Sequence, residues 1–143
     1  MSLSDTDRAT VAVLRASVLK LARRLRNQRA DETLSPTQLS VLTVLVVRGA
    51  MTPGELARHE KVQPPSMTRV IAGLEERGLV RRDPHPEDRR QITVTATEPA
   101  AQVVAESRRL GNAWLAAHLD GLTEEELATL RAAVPVLEKL AQL

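Results

Sequence analysis

The sequence predicts a mainly α-helical protein with one small β-hairpin, and three observations indicate this fold class. Apolar residues recur at helical spacing along most of the chain. Several segments begin with a hydroxyl residue that is followed three positions later by Glu or Gln, a pattern typical of helix starts. The alternation typical of strands is confined to residues 79–97. With 143 residues, the chain is long enough for a core of its own, and we expect a single domain over residues 1–143.

The composition limits the classes of protein to be considered. Hydrophobic residues make up 43% of the chain and charged residues 27%, a balance that favours a folded chain over a disordered one. The absence of cysteine excludes disulfides and thiolate metal sites, and we expect neither a metal nor a cofactor. No apolar run is long enough to span a bilayer and the first residues lack the pattern of a signal peptide, so we expect a cytoplasmic protein with no membrane partner.

Long amphipathic helices are predicted at both ends of the chain. In the first, over about residues 5–29, apolar residues spaced three and four apart form one narrow stripe: Val11, Leu14, Val18, Leu21 and Leu25. The last helix, which a capping box starts at Thr123, carries a similar stripe that Pro135 interrupts, and a proline there removes one helical hydrogen bond. Another helix, from about 98 to 119, is expected to begin at Thr97 as its cap. Such stripes need a partner surface.

The middle of the chain predicts shorter helices. Capping boxes at Ser35 and Thr52 start two of them, each with proline at the first helical position, where its missing N–H costs nothing, and the first ends near Gly49. After a turn over residues 59–63, apolar residues at i, i+3, i+4 and i+7 form one buried stripe of a further helix, and Gly78 is a natural residue to follow its end. Two short helices joined by a tight turn indicate a helix-turn-helix.

A β-hairpin is predicted directly after this helix-turn-helix. "LVRR", residues 79–82, is one short strand, and in "QITVTAT" apolar residues alternate with threonines at a period of two. The segment between the strands contains Pro84 and Pro86, which cannot donate to a ladder, and we expect both in the loop. A helix-turn-helix followed by a hairpin is the order of a winged helix, so the predicted architecture is a winged helix-turn-helix core, residues 35–97, flanked by long helices.

In a winged helix the second helix of the pair lies in the major groove of DNA, with its N-terminal residues nearest the bases. The candidates for that role face away from the predicted core or flank that face; they are Gln63, Pro65, Ser66, Thr68 and Arg69. Arg69 suits a bidentate contact with a guanine edge. Arg69 and Ser66 are equally compatible with an ordinary solvent-facing position on the helix.

The segment "MTPGELARHEKVQPPSMTRVIAGLEERGLVRRDPHPEDRRQITVTAT" resembles the DNA-binding core of the MarR (multiple antibiotic resistance regulator) family. The matching features are "T-x-x-E-L-A" at a helix start, "T-R-V-I-x-x-L-E-x-x-G-L-V-x-R" and the "D-x-R" of the wing, Asp88-Arg89-Arg90. Close similarity covers about a third of the chain, and the flanking helices agree in number and placement.

The resemblance implies a homodimer on double-stranded DNA. The helices of residues 5–29 and 98–143 of two chains would interlock, and two winged lobes would meet a pseudo-palindromic operator. The residues expected at the dimer interface are Val11, Leu14, Val18, Leu21, Trp114, Leu130, Val134 and Leu137. In the wing, Arg90 would enter the minor groove and Asp88 would pair with an arginine, while Arg81, Arg82 and Arg89 suit phosphate contacts or strand-edge charges.

Family members are often repressors that a small amphipathic ligand, bound between the dimerisation helices and the DNA-binding lobe, releases from DNA. Here the absence of Phe, Tyr and Cys excludes thiol oxidation as the signal and requires a ligand pocket built from aliphatic residues, Trp114 and arginines.

An enzyme is not expected. "HEKVQ", residues 59–63, falls one histidine short of the H-E-x-x-H zinc motif, the three histidines do not converge, and no phosphate loop or nucleophile motif is present. The alternative is a winged-helix module that docks on another protein, since a fold does not determine function. The arginines around the wing favour DNA.

Overall fold

The computed structural model describes residues 4–142 as six helices and one hairpin. In chain order these are α1 (Asp5–Arg26), α2 (Pro36–Arg48), α3 (Pro53–Glu60), α4 (Pro64–Glu76), β1 (Val80–Pro84), β2 (Ile92–Ala96), α5 (Glu98–Leu119) and α6 (Glu124–Ala141). The mainly α-helical class with a small β-hairpin is confirmed.

Capping boxes start the helices where the sequence predicted them. Ser35, Thr52 and Thr123 each accept a hydrogen bond from the backbone N–H three residues on, and the side chain at that position bonds back to the cap. The same arrangement at Ser4 and Asp7 starts α1, where Asp7 takes the place of the usual Glu or Gln. These contacts are local in sequence, and for that reason the starts of α2, α3 and α6 could be predicted.

Thr97 lies at the N-cap position of α5, but its side chain does not cap that helix. Its hydroxyl donates instead to the carbonyl oxygen of Gly78 at 2.7 Å, and its backbone N–H donates to Leu79 O at 3.1 Å. The expectation of a Thr97 cap was therefore right in position and wrong in contact. The hydroxyl ties the start of α5 to the turn that follows α4.

The core of the protein lies within the middle of the chain, between α2, α3, α4, the hairpin and the first turns of α5. Its largest fully buried side chains are Leu34, Val41, Leu42, Leu56, Met67, Ile71, Leu74 and Val94. Three of them lie on α4 at the predicted helical spacing, and their burial fixes which face of α4 points outward.

The end of α4 is shaped by Gly78. With φ +70° this residue adopts the left-handed conformation, which costs other residues about 1 kcal/mol or more. Gly78 N donates to Glu75 O and Leu79 N donates to Leu74 O, both at 2.9 Å, which is the hydrogen-bond pattern of a Schellman motif. The chain therefore turns sharply from α4 into the hairpin.

The hairpin is antiparallel, with Val80 opposite Ala96 and Pro84 opposite Ile92. Pro84 is thus the last residue of β1, and the prediction that it belongs to the loop was wrong. Leu79 with Thr97 and His85 with Gln91 are joined by ladder hydrogen bonds, so the alternation of an antiparallel ladder makes Pro84 and Ile92 a pair that needs none. The missing N–H of Pro84 therefore leaves the ladder intact.

The two long helices at the ends of the chain bury no side chain. Within α1 and α6 none of the residues reaches the buried class, and α6 continues through Pro135 without ending. Exposed apolar side chains of these helices include Val11, Leu14, Val18, Leu21, Leu130, Val134 and Leu137. These seven are the stripe residues that the sequence assigned to a partner surface.

The segment between α1 and α2 contacts both α5 and the end of α4. Ala30 N donates to Ser107 Oγ on α5 at 3.0 Å, and Asp31 forms an ion pair with Arg77 at the end of α4. The Thr33 hydroxyl, which donates to Asp31, and the Arg77 guanidinium together hold the pKa of the Asp31 carboxyl below its usual value. This segment therefore links α4 to α5.

Asp31→Asn is expected to lower the free energy of unfolding by about 1 kcal/mol at neutral pH, the upper range for a partly exposed pair. Because the folded-state pKa of Asp31 is lowered, its contribution is present above the ordinary value of 3.8 and is lost as pH falls through the folded-state pKa. Urea denaturation across this range measures the effect, with Glu32→Gln as the control of equal charge. An Asp31→Asn effect that does not shrink in acid contradicts this explanation.

Candidate nucleic-acid interface

The N-terminal half of α4 presents a polar surface to solvent. Met67, Ile71 and Leu74 are buried, and this fixes the rotation of the helix about its axis. All five residues that the sequence proposed for contact with DNA here are exposed and lie together at this end: Gln63, Pro65, Ser66, Thr68 and Arg69. The arrangement is a convex polar ridge of the kind that fits a major groove.

The start of α4 lacks the capping box found in its neighbours. Gln63 occupies the N-cap position without making a cap hydrogen bond, and Pro64 and Pro65 supply no N–H that would need one. The Gln63 amide consequently remains at the surface. The Thr68 hydroxyl, in contrast, donates to Pro64 O at 3.0 Å, so Thr68 offers its methyl group and its remaining lone pairs to a partner.

The arginines of the hairpin differ in their contacts. Arg82 Nε lies 2.9 Å from Glu75 Oε2, so this ion pair joins β1 to α4. Arg81 Nε pairs with Asp83 Oδ2 on its own strand, also at 2.9 Å. For Arg69 and Arg89, both exposed, no carboxylate of residues 4–142 lies within ion-pair distance.

Arg90 extends from the wing into solvent. Its side chain is 92% exposed, and Asp88 Oδ1 accepts from both its backbone N–H, at 3.1 Å, and its Nε, at 3.3 Å. Asp88 therefore does pair with an arginine, and that arginine is Arg90 itself. The two terminal amino groups of the guanidinium remain available to a partner.

Glu75 and His85 are contributors to this surface that the sequence analysis did not single out. Glu75 faces Arg82 across the junction of α4 and β1, and His85 lies inside the loop of the hairpin. Glu75 could have been noticed only by pairing residues of different elements, because seven positions separate it from Arg82 along the chain. His85 carries no signal in its spacing, since its partners are backbone groups.

The zinc-like motif has a structural explanation. Glu60 Oε1 accepts from the Ser40 hydroxyl on α2 at 2.7 Å and lies 3.2 Å from His59 Nδ1. Within residues 4–142, no three side chains of the types that bind metals are grouped closely enough to hold an ion. Glu60 thus joins the first two helices of the core.

Two apolar grooves mark the surface of the long helices. One, of about 490 Å³, lies between α1 and α6; its lining includes Leu14, Val18, Leu21, Leu25 and Leu137. The other, of about 440 Å³, brings Trp114 together with Leu21 and Leu130. Trp114 is half-buried and stacks on His118, with ring centroids 4.1 Å apart. Four residues that the sequence assigned to a dimer interface line the first groove, and three line the second.

Comparison with known proteins shows which family the chain resembles. The model of the MarR family matches residues 34–92, which span α2 to the start of β2. An HTH-type transcriptional regulator of Mycobacterium bovis, Mb0904, is 44% identical over 133 residues, covering 93% of this chain and 93% of its own. The chain belongs to the MarR family. Its relatives carry the names of regulators, so the prediction that it is not an enzyme is confirmed.

Three further similar proteins cover nearly the whole of this chain. MdtR, an HTH-type transcriptional repressor of Bacillus subtilis, is 31% identical over 90% of this chain and 81% of its own. The crystal structure of a Pseudomonas aeruginosa protein matches with a TM-score of 0.84 at 31% identity, covering 98% of this chain and 99% of that one. A mutant of MarR from E. coli matches with a TM-score of 0.77 at 25% identity, covering 99% of both.

As a MarR-family member, this protein is a DNA-binding transcription regulator of the winged helix-turn-helix type. Over residues 4–142, no helix combines the length and the hydropathy needed to cross a membrane.

Proposed function

We propose that this regulator is a homodimeric repressor that occupies a pseudo-palindromic operator through two copies of its DNA-binding lobe. Residues 35–97 form that lobe, and residues 5–29 and 98–143 form the dimer, which acts in the cytoplasm. The observation that carries the proposal is the exposed polar face of α4 beside the arginine-bearing hairpin, with Arg82 and Glu75 joining the two.

A second copy of the chain is the partner that best suits the long helices. α1 and α6 bury none of their own side chains, yet both carry apolar stripes at helical spacing. Large apolar faces are seldom left in water. In a symmetric dimer the same stripe faces its own copy, so one set of apolar residues completes both chains.

The dimer gives the recognition its geometry. Operator half-sites one helical turn apart require two copies of α4 about 34–36 Å apart. Base contacts then come from the N-terminal residues of α4, and Arg90 of each wing reaches the flanking minor groove, where a narrow groove attracts arginine. Arg81, Arg82 and Arg89 add contacts to phosphate, which make the affinity fall as salt is raised.

A repressor is the form of regulation that we favour, because the curated relative MdtR is named a repressor. Occupation of a promoter would be sufficient for repression. A cavity of about 290 Å³ lies where α1, α2 and α5 meet. Apolar side chains, four neutral polar ones (Gln28, Thr43, Ser107 and Asn112) and the arginines Arg26 and Arg108 line it. A small amphipathic anion bound there would release the protein from DNA if it bound a different dimer spacing more tightly.

Arg69→Ala is expected to weaken binding to the operator by about tenfold or more and to leave binding to random DNA nearly unchanged. The reason is that a bidentate contact with guanine contributes about 1–3 kcal/mol of discrimination. Anisotropy titrations of both duplexes measure the two affinities, with Arg8→Ala on α1 as the control of equal charge. Equal losses on both duplexes would contradict a base-reading role for Arg69.

The proposed function as a whole is tested by selecting duplexes from a random pool with the purified protein. Enrichment of a palindromic sequence, bound more tightly than its shuffled counterpart and with an affinity that falls with salt, is the expected result. A folded protein that enriches no sequence would instead favour the docking module, whose arginine-bearing wing meets another protein.

A further inference from the structure

The loop of the hairpin, residues 85–91, is held by several hydrogen bonds, three of which involve His85. Its backbone N–H donates to Gln91 O at 3.1 Å, and Gln91 N donates to Asp88 O at 3.0 Å. The His85 ring lies inside this loop, where Nδ1 accepts from Glu87 N at 3.1 Å and from Asp88 N at 3.2 Å. One ring nitrogen therefore serves two backbone donors.

These two contacts determine the tautomer of the His85 ring. A nitrogen that accepts hydrogen bonds must present a lone pair, so these contacts select the tautomer of the neutral ring that carries its proton on Nε2. Within residues 4–142, the backbone N–H groups of Glu87 and Asp88 have no acceptor other than His85 Nδ1.

The His85 contacts lead directly to Arg90. Asp88 receives its backbone position from the ring, and its carboxylate in turn accepts from the N–H and Nε of Arg90. Because the Arg90 side chain is 92% exposed, the Asp88 carboxylate is the contact that orients it. An exposed arginine without such a contact would sample many rotamers and lose more entropy on binding.

We infer that His85 is a positioning residue for DNA recognition: its Nδ1 holds the loop in the shape that lets Asp88 aim Arg90 at the minor groove. This inference rests on the proposed function, and it adds a residue that makes no contact with DNA. It also explains why a histidine can stand in a proline-rich loop without any metal or catalytic partner.

Two substitutions of His85 test whether the hydrogen-bond acceptor or the imidazole ring itself is what the loop requires. In asparagine the side-chain oxygen is as many bonds from Cα as Nδ1 is in histidine, and Asn side chains accept from N–H groups two residues further along. His85→Asn is therefore expected to retain operator affinity within about twofold, whereas His85→Ala weakens it about five- to tenfold, the usual range for losing such hydrogen bonds. Circular dichroism confirms that both variants are folded.

The decisive experiment places His85→Ala in an Arg90→Ala background. If His85 acts through Arg90, its substitution has little further effect there, and the two losses are not additive. A full additional loss in that background overturns the inference, as does failure of His85→Asn to restore affinity. Nitrogen NMR of the neutral His85 ring in the free protein supplies a readout without DNA: a neutral ring with its proton on Nδ1 also overturns the inference.

Failure of the inference can be distinguished from failure of the proposed function. Wild-type protein that does not prefer the selected duplex to its shuffled counterpart contradicts the proposed function, and with it the role of His85. Wild-type protein that does prefer it, while His85→Ala binds equally well, contradicts the inference alone.

Discussion

Replacing Val18 by aspartate is expected to convert the protein from a dimer to a monomer and to abolish operator binding. Val18 lies in the middle of the stripe on α1 and is 46% exposed in the single chain. In the proposed dimer an aspartate there would be buried without a partner, at a penalty of several kcal/mol per ion. Since each dimer contains two copies, the dissociation constant of the dimer should rise at least about a thousandfold.

The measurement for Val18→Asp is light scattering coupled to size exclusion, followed by anisotropy with the operator duplex. Ala16→Asp is the matched control, because Ala16 is exposed and lies about 200° around α1 from both Leu14 and Val18. A dimer that survives Val18→Asp and still binds the operator would show that this stripe does not hold two chains together. Loss of the dimer in the control alone would point to the opposite face of α1.

The second large effect is expected at the wing, where Arg90→Ala should weaken operator binding about a hundredfold and leave the dimer intact. Charge-assisted contacts contribute about 1.5–3 kcal/mol each, and the proposed dimer has two wings. The loss should be largest for operators with A·T pairs beside the half-sites, because a narrow minor groove provides the negative potential that arginine reads.

Anisotropy with operators that carry A·T or G·C pairs at the flanking positions measures the effect of Arg90→Ala. Arg8→Ala removes the same charge from the first turns of α1 and should change neither affinity nor flank preference. Unchanged affinity of Arg90→Ala on both duplexes would remove the proposed minor-groove contact of the wing.

The elements that could be predicted from the sequence are those whose causes are local. Ser35, Thr52 and Thr123 mark helix starts because a capping box needs only four residues, and Gly78 marks a helix end because its turn requires a positive φ. The face of α4 followed from apolar spacing alone. Family membership followed from the motifs of the same segments.

The features that could not be predicted depend on partners distant in the chain or on the register of the β-hairpin. The Thr97 hydroxyl bonds to Gly78, nineteen residues away, and therefore does not cap its own helix. Pro84 belongs to β1 because its opposite residue requires no hydrogen bond from it, a property that the register decides. Glu75 forms its ion pair with Arg82 only because folding brings the end of α4 beside β1.

Among the proposed interface residues, the sequence located the exposed positions more readily than their contacts. Pro65 and Arg69 lie at the surface as the helical projection predicted, whereas the intrahelical bond of Thr68 and the partner of Arg82 appear only in three dimensions. Side-chain pairing of this kind depends on the relative placement of elements, which a period of hydrophobic residues does not encode.

The central claim is that a dimer presents two copies of α4 to successive major grooves, and hydroxyl-radical footprinting on the selected operator tests it most directly. The proposed geometry predicts two protected regions centred about one helical turn apart, flanked by minor-groove protections that Arg90→Ala removes. A single protected half-site, or protection without a defined spacing, would contradict the claim.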